Sequence, residues 1–183
     1  MPRRAILIPL LALLLTACGA PPPAPQAPVP AAPARSLPAG LEVPAIEAKS
    51  SLVPLGLNAD RTVEVPPVDR PLQAGWYEYG PTPGEPGPAV ILGHIDGGHR
   101  KGIFWRLHEL EPGNEVHIDR ADGRRLTFEV TKVEQIAKNA FPTEAVYGDT
   151  ADPQLRLITC GGRYDAANRN YLDNVIAYAK LER

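Results

Sequence analysis

Short apolar or alternating runs, each interrupted by proline or glycine, limit this chain to a fold built from many short strands. The chain has 183 residues, of which 22 are proline and 16 are glycine, the residue types that most often end regular elements and mark turns. Alternating segments on both sides of an Asp-Gly pair at residues 122–123 predict a hairpin. The runs that we interpret as strands are residues 88–93, 115–119, 125–130, 155–160 and 174–179.

This strand pattern predicts a mostly β fold. Many short strands joined by turns favour a closed or nearly closed barrel, because closure leaves no strand edge unpaired. Helix is limited to a turn or two near residues 104–110 and 142–147. The expected architecture is therefore one barrel-like domain with short helical turns.

The first 18 residues have the pattern of an export signal. Arg3 and Arg4 precede about a dozen apolar residues, fewer than the roughly 20 that a membrane-spanning helix needs. The run ends in Leu15-Thr16-Ala17-Cys18-Gly19, which resembles a lipobox, whose cysteine is diacylated and becomes the N-terminus after cleavage. We expect a lipid on Cys18 and an extracytoplasmic, membrane-anchored protein. The alternatives are an ordinary signal peptide with a chance cysteine and an uncleaved anchor.

The rest of the chain divides into a spacer and a domain. Residues 19–40 are mostly proline and alanine, a composition that favours extended polyproline II and acts as a semi-rigid tether. Residues 41–183 suit one domain with an ordinary core. Three of the 19 basic residues and none of the 21 acidic ones precede residue 41, so the domain is net acidic. It also lacks a basic run interleaved with aromatics, which argues against nucleic acid as a partner.

Two predicted strands end at residues that are suited to acyl transfer. The run at 88–93 leads into His94, the run at 155–160 ends at Cys160, and glycines follow both. Strand ends hold a side chain on rigid backbone, and glycines let a substrate backbone come close. If the two face each other, Cys160 supplies a thiolate nucleophile and His94 a proton donor. With Cys18 lipidated, Cys160 is the only remaining thiol, either reactive or a small buried hydrophobe.

The other histidines are weaker candidates. His99 lies in a polar, glycine-rich loop, His108 follows a short helical segment, and His117 lies on the presumed outer face of the hairpin. A metal site could also be built from His94, Asp96 and His99. Such a site would need a second ligand cluster with metal-site spacing, which the sequence lacks. We therefore expect no metal, no dependence on calcium and no cofactor.

Two motifs are specific in combination, although neither is specific alone. They are Gly93-His94 and, well downstream, Leu157-Ile158-Thr159-Cys160. By these motifs the chain resembles sortases, the cysteine transpeptidases of bacterial cell surfaces, and it is most similar to the class F subgroup. The resemblance covers nearly the whole domain and includes residues 43–46, 53–57, 76–77, 83–90, 93–96, 141–143, 146–148 and 157–162.

The resemblance implies an eight-stranded sortase-type β-barrel and a two-step reaction. Cys160 would attack a peptide bond in the C-terminal sorting signal of a secreted protein, and His94 would protonate the amine that leaves. The thioester would then pass to an amine nucleophile, either a peptidoglycan cross-bridge or a lysine on a pilin-like partner. We expect the specificity loops at residues 76–85 and 139–152.

Sortases also use an arginine, on or just before the last strand, to bind substrate and stabilise the oxyanion. The usual position falls at or near Asn174 in this sequence, and the nearest upstream arginine is Arg169, nine residues after Cys160. We expect Arg169 to be this donor, with Arg163 and Arg106 as alternatives. The N-terminus departs from the family too, because sortases usually carry a membrane-spanning anchor.

Two other functions stay open. An L,D-transpeptidase acting on peptidoglycan is also a cysteine acyl-transferase, but it places its nucleophile in a Ser-His-Gly-Cys type segment, whereas Cys160 follows Ile158-Thr159. A non-catalytic surface lipoprotein with a peptide-binding barrel is the second alternative. It predicts that Cys160→Ala leaves the biological activity intact.

Overall fold

The structure, a computed structural model, describes residues 35–182. The predicted export signal at 1–18, the lipid site at Cys18 and most of the tether at 19–40 lie outside the described residues. Strand β1 begins at Pro38, so regular structure starts three residues before the domain boundary expected at residue 41.

The described residues form ten strands, three 3-10 turns and one short α-helix. The turns are Pro44–Ile46, Leu107–Glu109 and Lys138–Ala140, and helix α1 is Thr143–Tyr147. The strands are β1 (Pro38–Val43), β2 (Ala48–Leu55), β3 (Ala74–Tyr77), β4 (Gly87–Gly93), β5 (Asp96–Gly97), β6 (Arg100–Lys101), β7 (Glu115–Arg120), β8 (Arg125–Ala137), β9 (Pro153–Asp165) and β10 (Asn170–Leu181).

Eight of these strands close into a barrel in the order β1-β2-β3-β4-β9-β10-β8-β7. The predicted class, mostly β with a closed eight-stranded barrel and short helical turns, is confirmed. Strands β5 and β6 form a separate two-stranded ribbon. Two barrel pairs, β2–β3 and β4–β9, are parallel, and the second of them positions the candidate site.

The β7–β8 hairpin forms at the predicted Asp-Gly turn. Arg120 N donates to Arg124 O at 2.9 Å, and Gly123 N donates to Arg120 O at 3.0 Å. Gly123 has a φ of 81°, in the left-handed region that glycine adopts without a steric penalty. The turn chemistry of the sequence therefore fixes this register.

Apolar residues at every second strand position fill the barrel interior. Ile91 of β4, Leu157 of β9 and Val175 of β10 belong to this interior cluster. The residues between them face outward and form a second apolar cluster under α1, made of Val90, Val146, Ile158 and Ile176. Because β4, β9 and β10 are covered on both faces, their sequences read as continuous apolar runs rather than as simple alternation.

Strand β9 does not end at Cys160, contrary to the prediction. It continues to Asp165 and pairs with β10 on the way, and Cys160 lies opposite Asn174. Just beyond Cys160, Gly162 has a φ of 71° and the register of β10 shifts, as in a β-bulge. The glycines after Cys160 therefore bend a continuing strand and do not begin a loop.

We expect Ile91→Ala to lower the free energy of unfolding by about 2–5 kcal/mol, because it opens a cavity in the barrel core. Ile91 is fully buried, whereas Val65 is 60% exposed, so the matched control Val65→Ala is expected to change stability by no more than about 0.5 kcal/mol. Urea unfolding of both variants measures the difference. Equal losses in the two variants would contradict the assignment of Ile91 to the core.

Candidate active site

Strand register brings the backbone positions of Cys160, on the outward side of β9, and His94, the first residue after β4, close together. The parallel strands β4 and β9 pair Leu92 with Ile158, and each predicted catalytic residue lies two positions further along its chain. Residues two apart in a strand share a face, and neighbouring strands lie about 4.8 Å apart. Both side chains are partly buried, so the pair lies at a sheltered but accessible edge.

The imidazole of His94 is held by the loop between β2 and β3. Its Nε2 lies 2.6 Å from the carbonyl oxygen of Pro66. A carbonyl oxygen only accepts, so Nε2 carries a hydrogen, and Nδ1 is the ring nitrogen left to exchange a proton with a substrate. The hydrogen bond therefore sets the orientation of the ring before any substrate binds.

The segment after His94 folds back so closely that only glycine fits at position 102. A Cβ at Gly102 would lie 2.1 Å from the carbonyl oxygen of His94. Gly102 N donates to Ile95 O at 2.8 Å, and Phe104 N donates to His94 O at 3.0 Å. These contacts fix the backbone of His94, and the close approach requires a residue without a side chain at position 102.

A hydrogen bond links the segment after His94 to β10. The hydroxyl of Tyr171 donates to Asp96 Oδ2. This bond raises the pKa of Tyr171 to about 12, because ionisation would break it and place two negative charges together. Asp96 follows His94 by two residues, and Tyr171 lies on the strand that pairs with the Cys160 strand. The bond therefore joins the two halves of the candidate site.

A lysine that the sequence did not single out contacts Cys160. Lys138 Nζ donates to Cys160 Sγ at 3.5 Å and to Asn170 Oδ1 at 2.6 Å. Lys138 begins the 3-10 turn after β8, which is separated from β9 by β10 in the barrel. Its side chain therefore passes over β10 to reach the thiol. No local motif signals such a contact between strands that are not neighbours.

Within residues 35–182, no hydrogen bond joins the expected arginine, Arg169, directly to Cys160, whose partner is Lys138. It lies at the tip of the β9–β10 hairpin with a φ of 51°, next to Asn170, which pairs with Asp165. Asn170 lies close to the thiol, because Lys138 Nζ bonds both Asn170 Oδ1 at 2.6 Å and Cys160 Sγ at 3.5 Å. The role of Arg169 as the donor therefore stays a prediction.

The two alternative arginines are Arg106 and Arg163. The guanidinium of Arg106 is engaged by Glu109 at 2.8 Å and by Glu47 at 3.5 Å. Arg163 is exposed on β9 and makes no ion pair within residues 35–182. The position opposite Cys160 is occupied by Asn174, a neutral amide. Among the described residues, Lys138 is the cation that donates a hydrogen bond to the sulfur.

Aromatic side chains from both predicted specificity loops meet over the outer apolar cluster. The ring of Tyr77 lies edge-on to those of Tyr79 and Tyr147, with centroids 5.9 Å apart in each pair. Phe141 lies 6.2 Å from Tyr147. Ile158 in the cluster precedes Cys160 by two residues and shares its face. An apolar, aromatic surface thus leads up to the thiol, and such surfaces hold the side chains of extended peptides.

Helix α1 is fastened to the barrel by a buried arginine. Arg156 Nε donates to Ala145 O at 3.2 Å, and its guanidinium lies 4.6 Å from the ring centroid of Tyr178. Burial lowers the pKa of Arg156, while the face of the tyrosine ring favours the cation. The arginine therefore holds one wall of the aromatic surface in place.

The part of the chain that the structure describes contains no group of three or more His, Cys, Asp or Glu side chains arranged to hold a metal ion. Within the same residues, no helix has both the length and the apolar character needed to cross a membrane.

Comparison with known proteins gives one family and several solved structures of similar fold. A family model described as the sortase domain matches residues 41–182. Sortase A from Corynebacterium diphtheriae has a TM-score of 0.60 at 18% identity, with 81% of this chain and 61% of that chain covered. Streptococcus agalactiae sortase C1 has a TM-score of 0.59 at 18% identity, with 79% and 66% covered. A Clostridium perfringens sortase D5 transpeptidase has a TM-score of 0.58 at 18% identity, with 81% and 79% covered.

At these identities the structural likeness shows a shared fold. The chain spans less than two thirds of the length of the first two of these sortases. No curated protein matches this sequence.

We expect Asp96→Asn to lower the pKa of Tyr171 from about 12 towards the ordinary value of about 10, because the amide carries no negative charge. Spectrophotometric titration of the tyrosines measures the change, and Tyr171→Phe identifies which transition belongs to this residue. In the parent protein, the contribution of this raised pKa to stability is present below about pH 10 and is lost as the pH rises through about 12. An unchanged titration in Asp96→Asn would contradict the link.

Proposed function

This chain belongs to the sortase family, and from that premise we propose that it is an extracytoplasmic cysteine transpeptidase. It cleaves the C-terminal sorting signal of secreted proteins through a thioester on Cys160 and transfers the acyl group to an amine. The observation that supports the proposal is the register of β4 and β9, in which the paired residues Leu92 and Ile158 each lie two residues before His94 and Cys160. The segment around Cys160 and the closed barrel do not favour an L,D-transpeptidase.

The proposed reaction has two steps, acylation of Cys160 and transfer of the acyl group to an amine. Cys160 Sγ, as the thiolate, attacks the carbonyl carbon of the scissile peptide bond. The C–N bond breaks, the proton of His94 goes to the leaving amine, and the acyl group stays on sulfur as a thioester. The acceptor amine then attacks the thioester carbon and gives a proton to His94, and Sγ leaves as the thiolate. Each cycle returns both residues to their starting states.

The aromatic surface beside Cys160 supports a peptide substrate. Its aromatic side chains come from residues 76–85 and 139–152 and pack on the buried outer apolar cluster. We propose that the apolar side chains of the sorting signal lie here and direct the scissile carbonyl at the sulfur. The binding energy gained on this surface holds the reacting carbon in position. Contacts remote from the scissile bond raise the reaction rate in this way.

The proposed site of action is the outer side of a membrane. An export signal at residues 1–18, a lipid on Cys18 and the spacer at 19–40 would together hold the barrel near the cell surface. The acceptor is the amino group of a peptidoglycan cross-bridge or the lysine of a pilin-like partner. Membership of class F stays a prediction, because the sortases compared above are named as classes A, C and D.

We expect the full chain to cleave and transfer members of a library of fluorogenic sorting-signal peptides in the presence of an amine acceptor. Cys160→Ala is expected to abolish the reaction, because it removes the nucleophile. His94→Ala is expected to lower kcat by about 10²–10⁴-fold, the usual contribution of a general acid. Mass spectrometry of the products identifies both the cleaved bond and the acceptor.

The exposed His108 provides a control, since His108→Ala is expected to keep the parent rate. A Cys160→Ala variant that cleaves as fast as the parent would refute the enzymatic function. In that case the barrel would bind peptides without transforming them.

A further inference from the structure

We propose that Lys138 is a further catalytic residue, which supplies the positive charge at the reacting sulfur that the family resemblance assigns to an arginine. The inference rests on the proposed function for its role in turnover. Its geometric basis is independent of any substrate, because Nζ lies 3.5 Å from Cys160 Sγ.

The lysine is held in place for this contact. Its ammonium donates to Asn170 Oδ1 at 2.6 Å, and this second bond anchors the side chain after it has crossed β10. The described residues place no carboxylate within ion-pairing distance of Lys138. Its charge is therefore not neutralised by an acidic neighbour and is available to the sulfur, which is partly buried and so less screened than a surface group.

The positive charge of Lys138 has two effects on the reaction. A lysine ammonium beside a thiol favours the thiolate over the thiol. When the thiolate attacks, negative charge moves from sulfur to the carbonyl oxygen, and a fixed cation close to both positions stabilises that charge. Lys138 keeps its proton throughout, because His94 carries the proton that the leaving amine receives and takes the proton that the acceptor amine loses.

The competing role for an amine at this distance is that of an acceptor. A neutral Lys138 would attack the thioester on Cys160 and form an amide with the acyl group, which would stop turnover after one cycle. The charged form cannot attack, because its nitrogen has no lone pair. The two roles therefore predict different products, and mass spectrometry of the lysine after turnover separates them.

The test measures the reactivity of Cys160 without substrate. The full chain is treated with iodoacetamide, a neutral alkylating reagent, at neutral pH, and the peptide that contains Cys160 is quantified by mass spectrometry, which also separates it from Cys18. Lys138→Met, which keeps the length of the side chain but removes its charge, is expected to slow alkylation by at least about tenfold. Lys138→Arg is expected to retain most of the parent rate.

Two further variants serve as comparisons for Lys138→Met. Asn170→Ala keeps the lysine but removes the hydrogen bond that anchors it. We expect the alkylation rate to fall by about fivefold, which corresponds to the free energy of one hydrogen bond. Lys180→Met removes an exposed lysine of β10 that pairs with Glu129 at 3.5 Å, and it is expected to leave alkylation unchanged. Circular dichroism of each variant confirms that the barrel has formed.

In the transfer reaction, Lys138→Met is expected to lower kcat by about 10²–10³-fold, as the loss of an oxyanion donor does, whereas Lys138→Arg should recover much of the rate. Parent-like alkylation in both Lys138→Met and Asn170→Ala would overturn the inference, and so would an acyl group found on Lys138 after turnover. A fall in alkylation without cleavage of any library peptide would support Lys138 as the thiolate partner while removing support for the proposed substrate.

Discussion

The parallel pairing of β4 with β9 is the constraint on which the candidate site depends. Both strands carry apolar residues on two faces, so one set fills the barrel and the other packs beneath α1. A slip of one residue would exchange the two faces, turning Cys160 into the core and Thr159 outward. Burial of both faces therefore fixes the register. The same register places His94, just after the end of β4, near Cys160 within β9, although the two are far apart in the chain.

Around this frame the reacting groups are held by contacts that precede substrate binding. The Pro66 carbonyl orients the imidazole, Gly102 packs against the His94 backbone, and the Tyr171–Asp96 bond joins the histidine segment to β10. These contacts involve the β2–β3 loop, the segment between β4 and β7, and strand β10. A preorganised site spends less binding energy on ordering its own groups, so more is available at the reacting carbon. The aromatic walls lie on connecting segments, where peptide specificity can vary without disturbing the barrel.

The sequence was sufficient to predict those parts of the protein that local patterning determines. Alternation and the Asp-Gly pair predicted the β7–β8 hairpin, the apolar runs predicted β4, β9 and β10, and the paired motifs pointed to a sortase barrel. One prediction was wrong where two segments had to meet. Cys160 was expected at a strand end because glycines follow it, yet pairing with β10 carries β9 onward. Arg169 as the substrate-binding arginine stays a prediction. The contact of Lys138 with Cys160 was not predicted, because the lysine approaches from the end of β8 across a strand, and sequence spacing cannot reveal such a contact.

The measurement that tests the central claim most directly is the intact mass of the full chain after brief exposure to a sorting-signal peptide without an acceptor amine. The account predicts an added mass equal to the acyl portion of the peptide. Peptide mapping should locate the adduct on Cys160, and hydroxylamine should remove it, as expected for a thioester. Cleaved peptide with no adduct on Cys160, or an adduct on any other residue, would contradict the assignment of Cys160 as the nucleophile.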